Sequence, residues 1–334
     1  MRKSISLLNT TILAFCLLLA AGTGAFAQTG EPAQASDAPE QPYGVVNLSV
    51  CNMRRTPDFD AEMISQALLG SPVHVLAFNK WYQIQSPDTY TGWVHPEGVH
   101  LMTEEEYHAW NAAEKVVVTA LFGIAYSKPS TSADPVSDLT GGDRVKLKGL
   151  VNWFYEVEFP DGRIGYIPRN IASKESVWRE NLRTDTEAIL ATARSMTGFP
   201  YIWAGMSPKG MDCSGYVRAV LFLHDIIIPR DAGPQSRVGK RIEHPDDFLP
   251  GDLIFFGKRD PLGAKDRISH VGFYLGGKQF IHCAGIVKVG SFDPENPLYD
   301  EFNTGRMLYA SRILPFIDKE EGLNTTLSNP YYAK

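Results

Sequence analysis

Two stretches of the chain repeat one alternation of apolar and polar positions. Residues 68–94 read LLGSPVHVLAFNKWYQIQSPDTYTGWV, and residues 139–167 read LTGGDRVKLKGLVNWFYEVEFPDGRIGYI. Gly70, Val73, Tyr82, Gly92 and Trp93 align with Gly142, Val145, Tyr155, Gly165 and Tyr166 at an offset of 72 or 73 residues. In both, short runs of period two are cut by Gly, Pro and Asp, which predicts short antiparallel strands joined by tight turns. Self-similarity at a fixed offset predicts two related β domains, over 43–102 and 115–175. Between them TEEEYHAW (103–110) carries Thr103 and Glu106 at capping-box spacing and predicts a short joining helix.

After residue 180 the period lengthens. In TDTEAILATARSMTGFP (184–200), Ile189, Leu190, Ala193 and Met196 form the apolar stripe of a helix. Thr184 with Glu187 reads as its opening capping box, and Gly198 and Pro200 as its close. GMDCSGYV (210–217) then starts a second helix, with Cys213, Val217, Val220, Leu221 and His224 on one face. From 250 onward PGDLIFFG, SHVGFYLGGKQFIHCAG and RMLYASRIL read as strands. Helices first and hairpin-linked strands later predict an α+β domain over 183–315, leaving 316–334 as a tail.

The first residues change the expected setting. A basic start (Arg2, Lys3), an apolar run over 11–20 and the small residues of AFA (25–27) predict a signal peptide over 1–27. Cys16 sits inside the apolar run and leaves with it. The run is too short to span a bilayer comfortably, so the expectation is an exported protein, periplasmic or secreted, off the membrane once the leader is cut. Residues 28–42, rich in Pro, Gln, Ala and acid, predict a disordered tether. The net charge of −6 becomes −8 without residues 1–27, and Lys and Arg form no blocks, so nucleic acid is not an expected partner. The basic residues read as solvated surface. Cys51, Cys213 and Cys283 remain; an odd count in an exported chain leaves at least one free thiol.

Cys213 is the thiol with a use. A helix N-terminus offers partial positive charge and unpaired N–H groups, which predict a thiol that ionises readily and a cradle for an oxyanion. Gly210 and Gly215 allow close approach, and Asp212 and Ser214 flank the sulfur with polar groups. A thiolate needs a base, and His270 and His282 lie on two strands joined at Gly276–Gly277. If paired residue numbers sum to 553 the two rings point to opposite faces; if they sum to 554 they are diagonal neighbours on one face. The reading requires the second case. His270 then takes the proton, His282 orients it, and the reaction is acyl transfer through a thioester. Strand alternation sets His282 and Cys283 on opposite faces, which argues against a zinc site. Cys283 reads as packing and His224 as a core-edge histidine.

GMDCSGYV, PGDLIFF, then S-H-V-G-x-Y and a second His twelve residues on resemble the NlpC-type cell-wall cysteine peptidases over about 183–315. The resemblance implies a papain-like α+β catalytic domain preceded by two small SH3-like β-barrels, a Cys213–His270–His282 triad, no cofactor and no metal. It also implies cleavage of peptidoglycan stem peptides between γ-D-glutamyl and a diamino acid such as diaminopimelate. Two SH3-like domains resemble the subgroup that trims short murein peptides with a free N-terminal L-alanine, acting as a monomer. By the same resemblance Tyr201, Trp203, Asp212, Ser214 and Asp231 line the cleft, with Ala232 where relatives often carry serine. Glu62 and Tyr90 of the first β domain match positions that meet the substrate's terminal amine. Glu62, Asp212 and Asp231 would supply carboxylates for that ammonium. Two alternatives stay open on sequence alone, a wall-binding protein with an inactive hydrolase domain and a Cys–His amidase or acyltransferase of related fold.

Overall fold

The structure, a computed structural model, describes residues 41–261 and 266–334. The predicted signal peptide and residues 28–40 of the predicted tether lie outside the described residues.

The first repeat forms a seven-stranded antiparallel sheet. Its strands are β1 (Tyr43–Val46), β2 (Val50–Arg54), β3 (Met63–Leu68), β4 (Pro72–Asn79), β5 (Trp81–Gln85), β6 (Thr91–Val94) and β7 (Val99–Met102), in the order β3-β2-β6-β5-β4-β1-β7. The joining helix α1 (Glu104–Ala112) follows, with the Thr103–Glu106 capping box formed in both directions. The second repeat supplies β8 (Lys115–Val118), β9 (Phe122–Tyr126), β10 (Pro135–Thr140), β11 (Arg144–Val151), β12 (Phe154–Glu158), β13 (Ile164–Pro168) and β14 (Ala172–Lys174). Their order, β10-β9-β13-β12-β11-β8-β14, is the first order with seven added to every strand. The repeat in the sequence is thus a repeat in topology. Val73 and Val145 are each fully buried in their own core, and Lys80 and Asn152, 72 residues apart, both turn with positive φ at the same hairpin.

The rest of the chain begins with α2 (Glu175–Glu180) and α3 (Thr186–Ser195). Helix α3 corrects one expectation. Its cap is Asp185, whose carboxylate accepts the Ala188 amide at 3.1 Å, and Glu187 pairs with Arg183 instead of closing a box with Thr184. Asp competes successfully with Thr for an N-cap because its charge also meets the helix dipole. A small hairpin, β15 (Met206–Ser207) and β16 (Gly210–Met211), leads into α4 (Cys213–Phe222), and α5 (Ala232–Gln235) follows. The main sheet is then built from β17 (Lys240–Ile242), β18 (Leu253–Lys258), β19 (Arg267–Gly276), β20 (Gln279–Ala284) and β21 (Ile286–Ser291). After α6 (Glu301–Thr304) it is completed by β22 (Met307–Arg312), in the order β17-β22-β18-β19-β20-β21. Helix α4 lays Val217, Val220 and Leu221 on Val271, Phe273 and Ile281 of this sheet. Burying each such side chain contributes roughly 1.5–3 kcal/mol, which pins the front of α4 against β19.

Candidate active site

Asp212 caps α4 and fixes where Cys213 sits. Its carboxylate accepts the Gly215 amide at 2.7 Å and the Ala204 amide at 3.1 Å. Arg230, almost wholly buried, donates to both its oxygens at 3.1 and 2.7 Å and to the Ser214 hydroxyl at 3.0 Å. Asp212 and Ser214 are therefore held by Arg230, a partner the sequence reading missed; nothing in the spacing of 212 and 230 announces the pair. Gly215 is required by geometry, since a Cβ there would stand 1.9 Å from the Gly205 carbonyl oxygen. Capping also occupies the Gly215 amide, so the open first-turn amides are those of Cys213 and Ser214.

Cys213 is 9% exposed. Backbone amides of Ser214 and of Val271, the neighbour of His270, face its thiol. The expected easy ionisation is not what the resting site presents. Burial, and then the charge of Asp212, push the Cys213 thiol up to about 11, outweighing both amides and Arg230. A helix terminus acts as only about half a charge, which does not offset the desolvation of a buried thiolate. His270 is held well below its ordinary value, first by burial and then by His282, Arg306 and Lys288. Burial thus favours the uncharged form of both the Cys213 thiol and the His270 ring.

The hairpin resolves the parity question. Gly272 pairs with His282, Phe273 with Ile281 and Tyr274 with Phe280, so paired numbers sum to 554, and a bulge at Leu275 precedes the turn. Gly277 and Lys278 in the turn both have positive φ. The two rings consequently meet on one face, His270 Nε2 lying 2.7 Å from His282 Nδ1. Gly272 makes room for this, because a Cβ there would lie 2.9 Å from the Cβ of His282. His282 is fully buried and down to about 4, burial outweighing the opposing pull of Asp300. Its Nε2 has no hydrogen-bond partner and stands 3.8 Å from Asp300 Oδ2. Asp300 is itself fixed by the Asn303 amide and side chain at 3.0 and 2.6 Å. No sequence signal pointed to Asp300, which lies in the segment before α6.

The expected substrate contacts fall into two groups. Tyr201 is half-buried against the core that holds Cys213, and its hydroxyl is pushed up to about 12 by burial and then by Cys213. Trp203 is 61% exposed, and its indole donates to Glu62 at 3.1 Å, reaching from the catalytic side to the first sheet. Arg55 pairs with Glu62 at 2.8 Å. Tyr90, from the β5–β6 connection, hydrogen-bonds Asp231, which burial, Asp212 and Asp88 raise above the ordinary carboxylate value. Tyr90 and Asp231 line one open pocket of about 500 Å³ with Arg230. Tyr90 and Asp231 so meet across the junction with the first sheet, Glu62 reaches across it to Trp203, and Asp212 faces Arg230. Cys51, Cys213 and Cys283 are all unpaired, and Cys283 is buried with its thiol against the Met211 carbonyl at 3.1 Å. His224 is tied to Thr192 and to the Arg183 carbonyl.

Residues 198–306, which span Cys213 and both histidines, match the NlpC/P60 family model. Residues 198–306 belong to the NlpC/P60 family. The chain is accordingly a cysteine peptidase, and the stretch opens at Gly198, shortly after α3, and closes at Arg306. Residues 53–99, within the first sheet, match the bacterial dipeptidyl-peptidase Sh3 domain. Among curated relatives, a γ-D-glutamyl-L-lysine dipeptidyl-peptidase of Bacillus cereus is 29% identical over 255 residues, covering 73% of this chain and 74% of its own. Dipeptidyl-peptidase 6 of Lysinibacillus sphaericus is 27% identical over 272 residues, covering 76% and 93%. An NlpC/P60 family protein of Bacillus cereus shares the fold at a TM-score of 0.68 and 24% identity, over 82% of this chain and 100% of that one.

Proposed function

We propose that the protein hydrolyses the γ-D-glutamyl–diamino acid bond of short peptidoglycan-derived peptides whose N-terminal L-alanine is free. The observation that carries the reading is the 2.7 Å contact of His270 Nε2 with His282 Nδ1, one residue along β19 from the amide that faces the Cys213 thiol. In this reading Cys213 Sγ attacks the amide carbon, the S–C bond forms and the carbonyl electrons move to oxygen beside the amides of Cys213 and Ser214. His270 takes the thiol proton and returns it to the departing amine as the C–N bond breaks. Water then adds to the thioester, His270 accepts its proton, and sulfur leaves and is reprotonated. A neutral resting pair suits this sequence, because the proton moves only as the carbonyl is attacked. His282 holds the His270 ring, and its Nε2–H faces Asp300.

The finer organisation belongs to the same reading. Both seven-stranded sheets are SH3-like barrels, over 43–102 and 115–175, and 183–315 is a papain-like catalytic domain. The chain acts as a monomer after export. Glu62, Tyr90 and Asp231 receive the substrate's ammonium, and Tyr201 and Trp203 flank the cleft. Relatives named as γ-D-glutamyl-L-lysine dipeptidyl-peptidases support the bond chosen. The test is release of diaminopimelate from L-Ala-γ-D-Glu-diaminopimelate, with no release of L-alanine, and its abolition in Cys213→Ala. Cleavage after L-alanine, or turnover by Cys213→Ala, defeats the proposal.

A further inference from the structure

The contacts around the two imidazoles close on themselves. His270 Nε2 meets His282 Nδ1 at 2.7 Å, and His282 Nε2 stands 3.8 Å from Asp300 Oδ2. That same oxygen accepts the Asn303 side-chain amide at 2.6 Å, and Asn303 Oδ1 accepts Arg306 Nε at 3.0 Å. Arg306 Nη1 then donates to the Ser269 hydroxyl at 2.9 Å, and Ser269 precedes His270 on β19. The circuit joins β19, β20, α6 and the residue that leads into β22. Arg306 completes it by spanning Asn303 and Ser269.

Arg306 also stands close to the imidazoles in space. Its guanidinium lies 5.9 Å from the centre of the Phe256 ring, which is itself 5.5 Å from the centre of His270. Phe302 lies 4.5 Å from that guanidinium, and the Arg306 carbonyl accepts the Gly257 amide at 2.9 Å. The charges facing the pair come from Asp300, from Arg306 and from Lys288, the cross-strand partner of His282 on β21. Asp300 favours a proton on His282, while Arg306 and Lys288 disfavour one on either imidazole. Cys213, on the α4 side, favours the Arg306 charge when ionised. A lone carboxylate behind His282 would orient the pair and also draw a proton onto it, and a protonated His270 cannot act as base. A fixed guanidinium of opposite sign offsets that pull without releasing the carboxylate.

Resting on the function proposed above, we infer that Arg306 is a positioning residue of the peptidase, holding Asp300 on His282 through Asn303 and keeping the oriented imidazole pair free of a proton. It acts through Asn303, Asp300 and Ser269, and no contact with substrate is required of it. Arginine suits the place because one planar fork serves two acceptors in fixed directions, which a lysine ammonium does not. Charge and tether are therefore separable: lysine retains the first and loses the second.

The experiment follows release of diaminopimelate from L-Ala-γ-D-Glu-diaminopimelate across pH. It uses the full-length protein, Arg306→Gln, Arg306→Lys, Asp300→Asn and the double variant Arg306→Gln/Asp300→Asn. Arg306→Gln should lower kcat roughly tenfold with KM within about twofold of wild type. It should also move the acid limb to higher pH, because loss of a positive neighbour favours the protonated imidazole. Arg306→Lys should lose kcat but leave the limb where the wild type has it. The double variant should lose little more than Asp300→Asn alone, since both changes open one circuit. Wild-type kcat in Arg306→Gln, an acid limb that does not move, or losses that multiply in the double variant overturns the assignment. Titrating the histidine rings by NMR without substrate separates this inference from the function it rests on. An upward shift of His270 or His282 in Arg306→Gln upholds the circuit even where the wild type leaves the peptide uncut, an outcome that defeats the proposed bond alone; no shift overturns the circuit.

Discussion

At the scale of residues, the chemistry turns on proton positions. His270 sits well below its ordinary value and Cys213 near 11. In the proposed mechanism turnover needs His270 unprotonated and the sulfur proton still available, so kcat/KM should stay flat through neutrality. It should fall on the acid side only below the ordinary histidine value of about 6.5 and on the alkaline side only toward 11. A steep acid limb at or above pH 7 would contradict this assignment. Asp300 raises His282, the only opposing influence on a ring that burial depresses. Asp300→Asn removes that support, and we expect kcat to fall on the order of tenfold, about 1.4 kcal/mol of barrier, with KM little changed. A matched loss in thermal stability with unchanged kcat would make Asp300 structural only. Of these residues, Cys213 at the front of α4 was legible from helix periodicity, and His270 and His282 could be named as candidates from their spacing about a hairpin. Asp300, Arg230 and Arg306 were not: each acts through a loop whose closure no local pattern encodes.

The elements extend the same logic. The turn Gly277–Lys278 alone would set a register that parts the two histidines, and the bulge at Leu275 restores their alignment. Sequence parity could state the two outcomes but not choose between them, since a bulge is one residue's departure in a ladder settled by packing. Gly272 occupies the space opposite His282. A Cβ at 272 would meet the Ile281 carbonyl at 2.7 Å as well as the His282 Cβ at 2.9 Å, so Gly272→Ala should lower both kcat and the melting temperature, measured side by side. Helix α4 depends on a different feature. Arg230→Met leaves the Asp212 carboxylate buried and unpaired, at a cost of about 3–5 kcal/mol, which a urea midpoint will register. Strand content, the two equivalent sheets and the capped joining helix were readable because periodicity and capping are local. The cap of α3 was misread by one residue, where two adjacent polar side chains compete for the same amides.

For the molecule as a whole, the proposed limit on substrate length lies where separate parts of the chain meet. The first sheet brings Glu62 to Trp203 and Tyr90 to Asp231, contacts that in the proposed function bound the cleft at the amine end. N-acetylating the L-alanine of the tripeptide should reduce kcat/KM by roughly a hundredfold, the scale of an unpaired charge-assisted contact of 1.5–3 kcal/mol. Equal rates on free and acetylated peptide would remove the first sheet from specificity. This junction could be proposed only from family likeness, because contacts between residues more than a hundred positions apart leave no trace in hydropathy. Residues 316–334, read as a tail, instead fold back: Asn329 donates to the Pro87 carbonyl at 2.8 Å and the Tyr331 hydroxyl to Gln85 at 2.7 Å, on the loop that carries Tyr90. That brace has a consequence for truncation. A chain cut before Asn329 keeps the nucleophile, both imidazoles and the sheet around them but lets go of the Gln85–Tyr90 stretch, so on the proposed function it should accept N-blocked peptides that the intact protein refuses.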